Sequence, residues 1–287
     1  MGLADDVARL AAGTAFADRS DRGFVLVSGP DTFSFLQALV SADLDPLADG
    51  DAVHSLLLAP QGKLDVDFRL LRVGPEEAWL DCAPRLGAQL KTSLTRFLIR
   101  VKAEIVDRSG ELGMLSRIGA DDGMVVPDGV HRIDTAWGFD LIGSRDALPA
   151  VTGVDPVAFE AWRIEQAIPV QPADVDDTTI PQEAFLERDA VSFTKGCFIG
   201  QELVCRIDSR GHVNRFLRRL AVAGGIVPPA GAEVLAGDTV VGHVTSAVAV
   251  PGEDRAVALG MVRREVEPPA AVTIHAAGTV LPATVLP

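Results

Sequence analysis

The chain has 287 residues with 26 Lys and Arg against 40 Asp and Glu, a formal charge of -14 and a pI near 4.7. That balance argues against a nucleic-acid binder or a protein of polyanionic membrane surfaces, since both kinds of affinity come from cations set against phosphate. An apolar content of 48% excludes disorder and predicts two or three folded domains. The first residues carry no basic n-region, no apolar run approaches a membrane span, and Cys82, Cys197 and Cys205 are too scattered for a disulfide framework. A cytoplasmic protein in a reducing compartment is the expectation. The chain has no tyrosine.

Apolar spacing predicts a helix over 3–15 and a second over 32–40, the latter after the turn formers Gly29-Pro30-Asp31. A buried strand over 53–58, a tight turn at Pro60-Gln61-Gly62-Lys63 and a strand over 64–73 follow. In that strand Leu64, Val66, Phe68 and Leu70 alternate with Asp65, Asp67 and Arg69, the two acids reading as solvated. Next come a short strand over 78–82, a helix over 84–98 opening on Pro84, a strand over 101–106 and broken strands over 110–142. An amphipathic helix covers 155–168. The stretch Pro172 to Pro181 reads as an acid-rich loop, with Asp174 to Asp177 solvated. From Lys195 to Arg219 the sign reverses, with Lys195, Arg206, Arg210, Arg215, Arg218 and Arg219 against Glu202 and Asp208, a local +4. Short Val- and Ala-rich runs punctuated by Gly and Pro then predict a small β-barrel or sandwich of about 70 residues. Interleaved hairpins and helices make the fold class α+β rather than a doubly wound sheet.

The sequence contains no Walker loop, dinucleotide fingerprint, His-Glu-x-x-His or Cys-x-x-Cys motif. Its five histidines are isolated, so no dedicated metal site is expected. The informative stretch is Lys195-Gly196-Cys197-Phe198-Ile199-Gly200-Gln201-Glu202. Two glycines let Cys197 sit on an exposed bend. A lysine two residues away and a helix opening at Gly200-Gln201 would both favour its thiolate. The competing reading makes Cys197 a small hydrophobe under Phe193 and Phe198.

This motif resembles the Lys-Gly-Cys-(Tyr/Phe)-x-Gly-Gln-Glu signature of the YgfZ group, folate-binding relatives of the glycine cleavage T-protein (aminomethyltransferase) associated with iron–sulfur cluster assembly or repair. Phe35-Leu36-Gln37 with Ser41-Ala42-Asp43, Leu57 to Lys63, Arg163-Ile164-Glu165, Ile180-Pro181-Gln182-Glu183 and the arginines of 206–215 are similar to further family landmarks. The resemblance implies a three-domain ring of the aminomethyltransferase-like folate-binding fold. Its parts would be a discontinuous first α+β domain (1–58 with 125–215), a second α+β domain (59–124) and a C-terminal β-barrel (216–287).

The same resemblance implies that Glu165 and Glu183 accept from the amide and amino edge of a pterin, and that Arg206, Arg210 and Arg215 hold the anionic tail of tetrahydrofolate or a derivative. Each has a plainer alternative. Glu165 reads equally as a helix-surface acid, Glu183 as a helix N-terminal carboxylate, and Arg218 and Arg219 as flanks of the first barrel strand. Two departures oppose aminomethyl transfer. The family's catalytic aspartate falls near Gly87 or Ala88, with only Asp81 nearby, and the tyrosines that surround folate in T-proteins are missing. The function implied is therefore a folate-binding accessory protein acting through Cys197 and Lys195 on iron–sulfur client or assembly proteins, with tRNA-modifying enzymes among the clients. No direct nucleic acid or membrane contact is expected, and the chain is expected to be a monomer. The alternatives are a tetrahydrofolate-dependent aminomethyltransferase or demethylase, and a non-catalytic scaffold.

Overall fold

The computed structural model describes residues 2–121, 123–276 and 278–287. In chain order the elements are α1 (Leu3–Ala11), β1 (Ala15–Asp18), β2 (Gly23–Ser28), α2 (Thr32–Leu39), β3 (Ala52–Leu58), β4 (Leu64–Gly74), β5 (Glu77–Cys82) and α3 (Gly87–Thr95). They continue with β6 (Glu104–Asp107), β7 (Leu112–Ile118), β8 (Val130–Thr135), β9 (Gly138–Ser144), α4 (Pro156–Glu165), α5 (Glu187–Ala190) and α6 (Gln201–Arg210). The last are β10 (Arg215–Ala223), β11 (Glu233–Ala236), β12 (Thr239–Ala249), β13 (Arg255–Arg263), β14 (Ala270–Ala276) and β15 (Thr279–Leu286). Two compact units emerge. One comprises Phe16–Gly153 with Leu186–Ser209, and the other the residues up to Ala15 with Val154–Phe185 and Arg210–Pro287.

The first unit holds a five-stranded antiparallel sheet, β3-β4-β5-β2-β6, and a four-stranded one, β1-β7-β9-β8. Phe24, Leu71, Met114, Ile133 and Ile142 form a core shared by both sheets. β4 shows the expected alternation, with Leu64, Val66, Phe68 and Leu70 buried. Its other face is not simply solvated. Asp67 pairs with His54 at 2.5 Å, Asp65 accepts from Gln89 at 2.9 Å, and Arg69 bridges Asp81 (2.9 Å) and Asp140 (2.7 Å). Arg22 reaches the same Asp81 at 2.7 Å. The two guanidinium groups hold Asp81 below its ordinary range although its burial pushes the other way.

The second unit holds the predicted barrel, closed in the order β10-β13-β12-β11-β14-β15 and back to β10. Leu220, Val234, Val244, Ala258, Ile274 and Val285 fill it, as inward residues of a small barrel must. Arg218 and Arg219 lie within its first strand rather than beside it. α4 starts after Asp155, whose carboxylate accepts from the Val157 N–H, and ends before Ala167, which has a positive φ of 56°.

Other boundaries shift for similar reasons. α1 stops at Ala11 because Gly13 turns the chain with φ 65°. α3 begins at Gly87, not Pro84, because Arg85 is left-handed at φ 68°, outside any α-helix. Arg100, at φ 63°, likewise holds the next strand back to Glu104. The acidic loop is the largest correction. Asp174 is buried there, bound to Arg163 at 2.7 Å and to Thr245 at 2.6 Å. A buried charge persists only when paired.

Candidate functional site

The signature loop is built inside the first unit. Phe198 is buried while Gly196 and Cys197 are exposed, so the packing alternative for Cys197 falls. Upstream, the Ser192 N–H donates to Ser41 O (2.9 Å), and Ser41 Oγ donates to Ala190 O (2.5 Å). Lys195 then turns its ammonium onto the C-terminal end of α2. Its Nζ donates to Ala42 O (2.7 Å), Gln37 O (2.8 Å), Val40 O (2.9 Å) and Gln37 Oε1 (3.1 Å). A cation at a helix C-terminus satisfies carbonyls that have no helical partner. Gln37 completes the lock, donating to Asp43 at 2.7 Å and accepting from the Leu44 N–H at 2.8 Å. Those contacts hold Asp43 below the usual carboxylate range, chiefly through Gln37 and the Asp45 N–H, with the Lys195 charge adding to them. Burial draws the Lys195 pKa down against the pull of Asp43 and Asp45.

Downstream, Gly200 is left-handed at φ 78°, and a Cβ there would lie 2.6 Å from Ala59 O and 2.8 Å from Leu58 Cβ. Gly62, at φ 74°, meets Leu203 in the same way, at 2.7 Å. The turn after β3 and the start of α6 therefore interlock, glycine against glycine. Gly196 is different, since a Cβ there meets nothing within 4 Å. Gln201 opens α6, and the exposed Glu202 sits in its first turn, where a carboxylate suits the helix dipole. Three separate sequence landmarks thus converge to fix one exposed thiol. The structure gives Lys195 an anchoring role beside it.

The residues expected for folate are distributed as follows. In the barrel unit, Glu183 is buried and bound twice by Arg215, at 2.9 and 3.2 Å. Its Oε2 also accepts the Ile180 N–H at 3.0 Å. These two candidates therefore neutralise each other, and the pairing raises the Arg215 pKa. Glu165 ends α4, half-buried. One carboxylate oxygen takes Arg255 at 2.7 Å and the other makes no hydrogen bond among the described residues. Glu165 lines a cavity of about 220 Å³ with Leu10, Ala158, Trp162 and Val250. Arg210 is exposed, and so is Arg206, on the α6 of the first unit. Sequence reading passed over Phe185, whose ring stacks on Phe216 at 5.2 Å under Arg218. Its positive φ of 60° leaves no mark in the sequence. Among the described residues, no helix is long and apolar enough to cross a membrane, and no cluster of His, Cys, Asp and Glu could hold a metal ion.

Comparison with known proteins agrees with this architecture. Residues 215–287 match the glycine cleavage T-protein C-terminal barrel domain. The crystal structure of glycine cleavage system aminomethyltransferase T from Bartonella henselae superposes with a TM-score of 0.82 at 18% identity, covering 98% of this chain and 88% of that one. The chain therefore has the aminomethyltransferase-like fold, with a T-protein-type barrel at residues 215–287. An uncharacterized protein of Haemophilus influenzae is 27% identical across 64% of this chain, and this chain spans 65% of that protein, just under two thirds. The tRNA-modifying protein YgfZ of Photorhabdus laumondii is 29% identical over 74% of this chain and 72% of its own length. An aminomethyltransferase of Rippkaea orientalis is 28% identical over 86% and 78%. Within that fold the chain is similar to both YgfZ proteins and aminomethyltransferases.

Proposed function

We propose that this protein is a folate-binding accessory factor for iron–sulfur cluster assembly or repair, that it works through the Cys197 thiol, and that it supports cluster-containing enzymes, including those that modify tRNA. The observation that carries the reading is one exposed thiol held on a loop locked on both sides, by Lys195 against α2 and by Gly200 against Gly62. Such a thiol meets large partners with little ordering cost. It suits taking up or passing on sulfur or iron as cargo. The tRNA-modifying name carried by YgfZ relatives supports the connection to tRNA.

The residues present fit a folate in part. Glu165 offers a carboxylate oxygen without a hydrogen bond, with Trp162 lining the same cavity, a combination suited to the amide and amino edge of a pterin. Glu183 serves only if Arg215 gives it up. Arg210, and separately Arg206, are offered as cations for the glutamyl tail. Bound tetrahydrofolate supplies one-carbon units.

Complementation tests the thiol. In a strain lacking the protein, Cys197→Ala is expected to leave cluster-enzyme activity unrestored while folding as the unaltered protein does, because the side chain is exposed. Full restoration would remove Cys197 from the mechanism. Calorimetry with tetrahydrofolate, run beside Glu165→Gln, tests the ligand, and no heat at millimolar concentration counts against folate.

The relation to the Rippkaea orientalis aminomethyltransferase favours a second reading, tetrahydrofolate-dependent aminomethyl transfer. Against it, Asp81 is locked between Arg22 and Arg69 and shielded from solvent. Methylenetetrahydrofolate formed from an aminomethyl donor would establish this reading.

A further inference from the structure

From Cys82 to Ala103 the chain carries Arg85, Lys91, Arg96, Arg100 and Lys102 and not one acid, in a protein whose total charge is -14. All five cations are exposed and none forms an ion pair among the described residues. α3 turns Leu90 and Leu94 into the core and shows Gln89, Lys91, Thr92 and Thr95 to solvent. In the turn that follows, Phe97 is 43% exposed and Ile99 79%, between Arg96 and Arg100. Two of the four described non-glycine residues with positive φ are arginines of this run, Arg85 and Arg100. Left-handed backbone disfavours any residue with a Cβ, and glycine or asparagine adopts it more easily. Local backbone outliers of this kind gather where function holds them.

We infer that α3 and the turn after it form an RNA-docking face that takes the sugar–phosphate backbone of a tRNA along the five cations and one unstacked base on Phe97. Cations that track phosphates beside an exposed ring are how single strands and loops are held without sequence preference. Asp65, which accepts from Gln89 at 2.9 Å, and Asp31, which accepts the Lys102 N–H at 2.8 Å, border the run; the five cations outnumber them, and charges more than about 8 Å away are largely screened at physiological salt. An anionic membrane fits less well. A helix that lies in a bilayer presents an apolar face, and α3 buries its own. The choice of RNA over another polyanion rests on the tRNA-linked reading above; the face itself rests on charge and exposure alone.

Filter binding of the full-length protein to unfractionated tRNA, across a salt series, tests this. A Kd of about 1 to 100 µM at physiological salt is expected. Arg85→Asn with Arg100→Asn should keep or raise Tm, since both positions lose strain, and yet weaken binding at least fivefold, with the salt slope falling by about 0.7 for each phosphate that is no longer neutralised. Phe97→Ala should weaken binding about 5- to 100-fold. Arg263→Gln with Arg264→Gln, equally exposed on the barrel, should change nothing. Unaltered binding in the arginine and phenylalanine variants, an equal loss in the barrel control, or no tRNA binding by the parent protein overturns the proposal. Sedimentation with vesicles of equal parts phosphatidylcholine and phosphatidylglycerol in place of tRNA binding would make the face a membrane contact and also overturn it. Loss of tRNA binding alone, with tetrahydrofolate heat and Cys197 complementation intact, defeats the docking face and leaves the proposed function standing.

Discussion

Lys195 shows how one residue can be misread from its neighbours in sequence. Two positions from Cys197, it suggests a charge that activates the thiol. The structure sends the ammonium instead to four oxygens at the end of α2. Its job is to fix the loop, and its aliphatic stem leaves Nζ 5.7 Å from the Phe198 ring centre. Removing the charge strands the carbonyls of Gln37, Val40 and Ala42 together. Lys195→Met, which keeps the stem's volume, is therefore expected to cost about 2 kcal/mol, the range for a charged hydrogen-bonding group with partly buried partners. Limited proteolysis should cut the variant between Ser192 and Gly200 faster than the parent. A variant with unchanged urea midpoint and cleavage pattern would show that the four hydrogen bonds do not hold the loop.

At the scale of elements, the turn between β3 and β4 and the start of α6 form one joint. Gly62 and Gly200 are each left-handed, and each has the neighbouring chain within van der Waals reach of a missing Cβ. Gly200→Ala forces a methyl against Ala59 O and Leu58 while keeping an unfavourable φ. The left-handed backbone costs about 1 to 2 kcal/mol and overpacking about 1 to 3 kcal/mol. A loss of about 2 to 4 kcal/mol is expected by urea denaturation, with α6 the first element to lose hydrogen-exchange protection. Gly196→Ala, into open space, should cost less than about 1 kcal/mol. Equal costs at the two glycines would refute the joint. Most of this was legible in the sequence as three separate landmarks, and β3, β4, β5, α2, α4, α6 and the barrel followed from spacing and turn residues, whereas β1, which begins where a helix is predicted, and β2 did not. What the spacing could not carry was the assembly. Asp174 reads as one acid among several in a loop until the fold brings Arg163 and Thr245 to it. Arg85 and Arg100 end elements through a backbone conformation that no side-chain pattern announces. The acid-free run from Cys82 to Ala103, by contrast, was visible in the sequence and was hidden by summing charge over the whole chain.

At the scale of the whole molecule, the first unit places an ion network between its two sheets, where a hydrophobic contact would have been the simpler choice. Arg22 and Arg69 share Asp81, and Arg69 goes on to Asp140, which also accepts from Ser116 at 2.5 Å. β4 and β5 of one sheet are thereby fastened to β7 and β9 of the other by groups that tolerate few alternative arrangements. A buried network of this kind adds little net stability over an apolar equivalent, but breaking it by removing one partner costs about 3 to 5 kcal/mol. Asp81→Asn should lose that much at neutral pH, because two guanidinium groups then share a neutral amide. The pH dependence has a definite sign. The Asp81 pKa is lowered in the folded protein from an ordinary value near 3.8, so the folded state binds its proton less tightly than the unfolded chain. Its contribution is complete above that ordinary value and disappears as the pH falls through it towards the folded one. The stability gap between parent and Asp81→Asn, measured by urea denaturation from pH 7 down to the lowest pH at which both fold, should therefore be constant near neutrality and narrow below about pH 4. A gap that keeps its full size in acid would mean that Asp81 contributes by packing rather than by charge, and that its two arginines are held by something else.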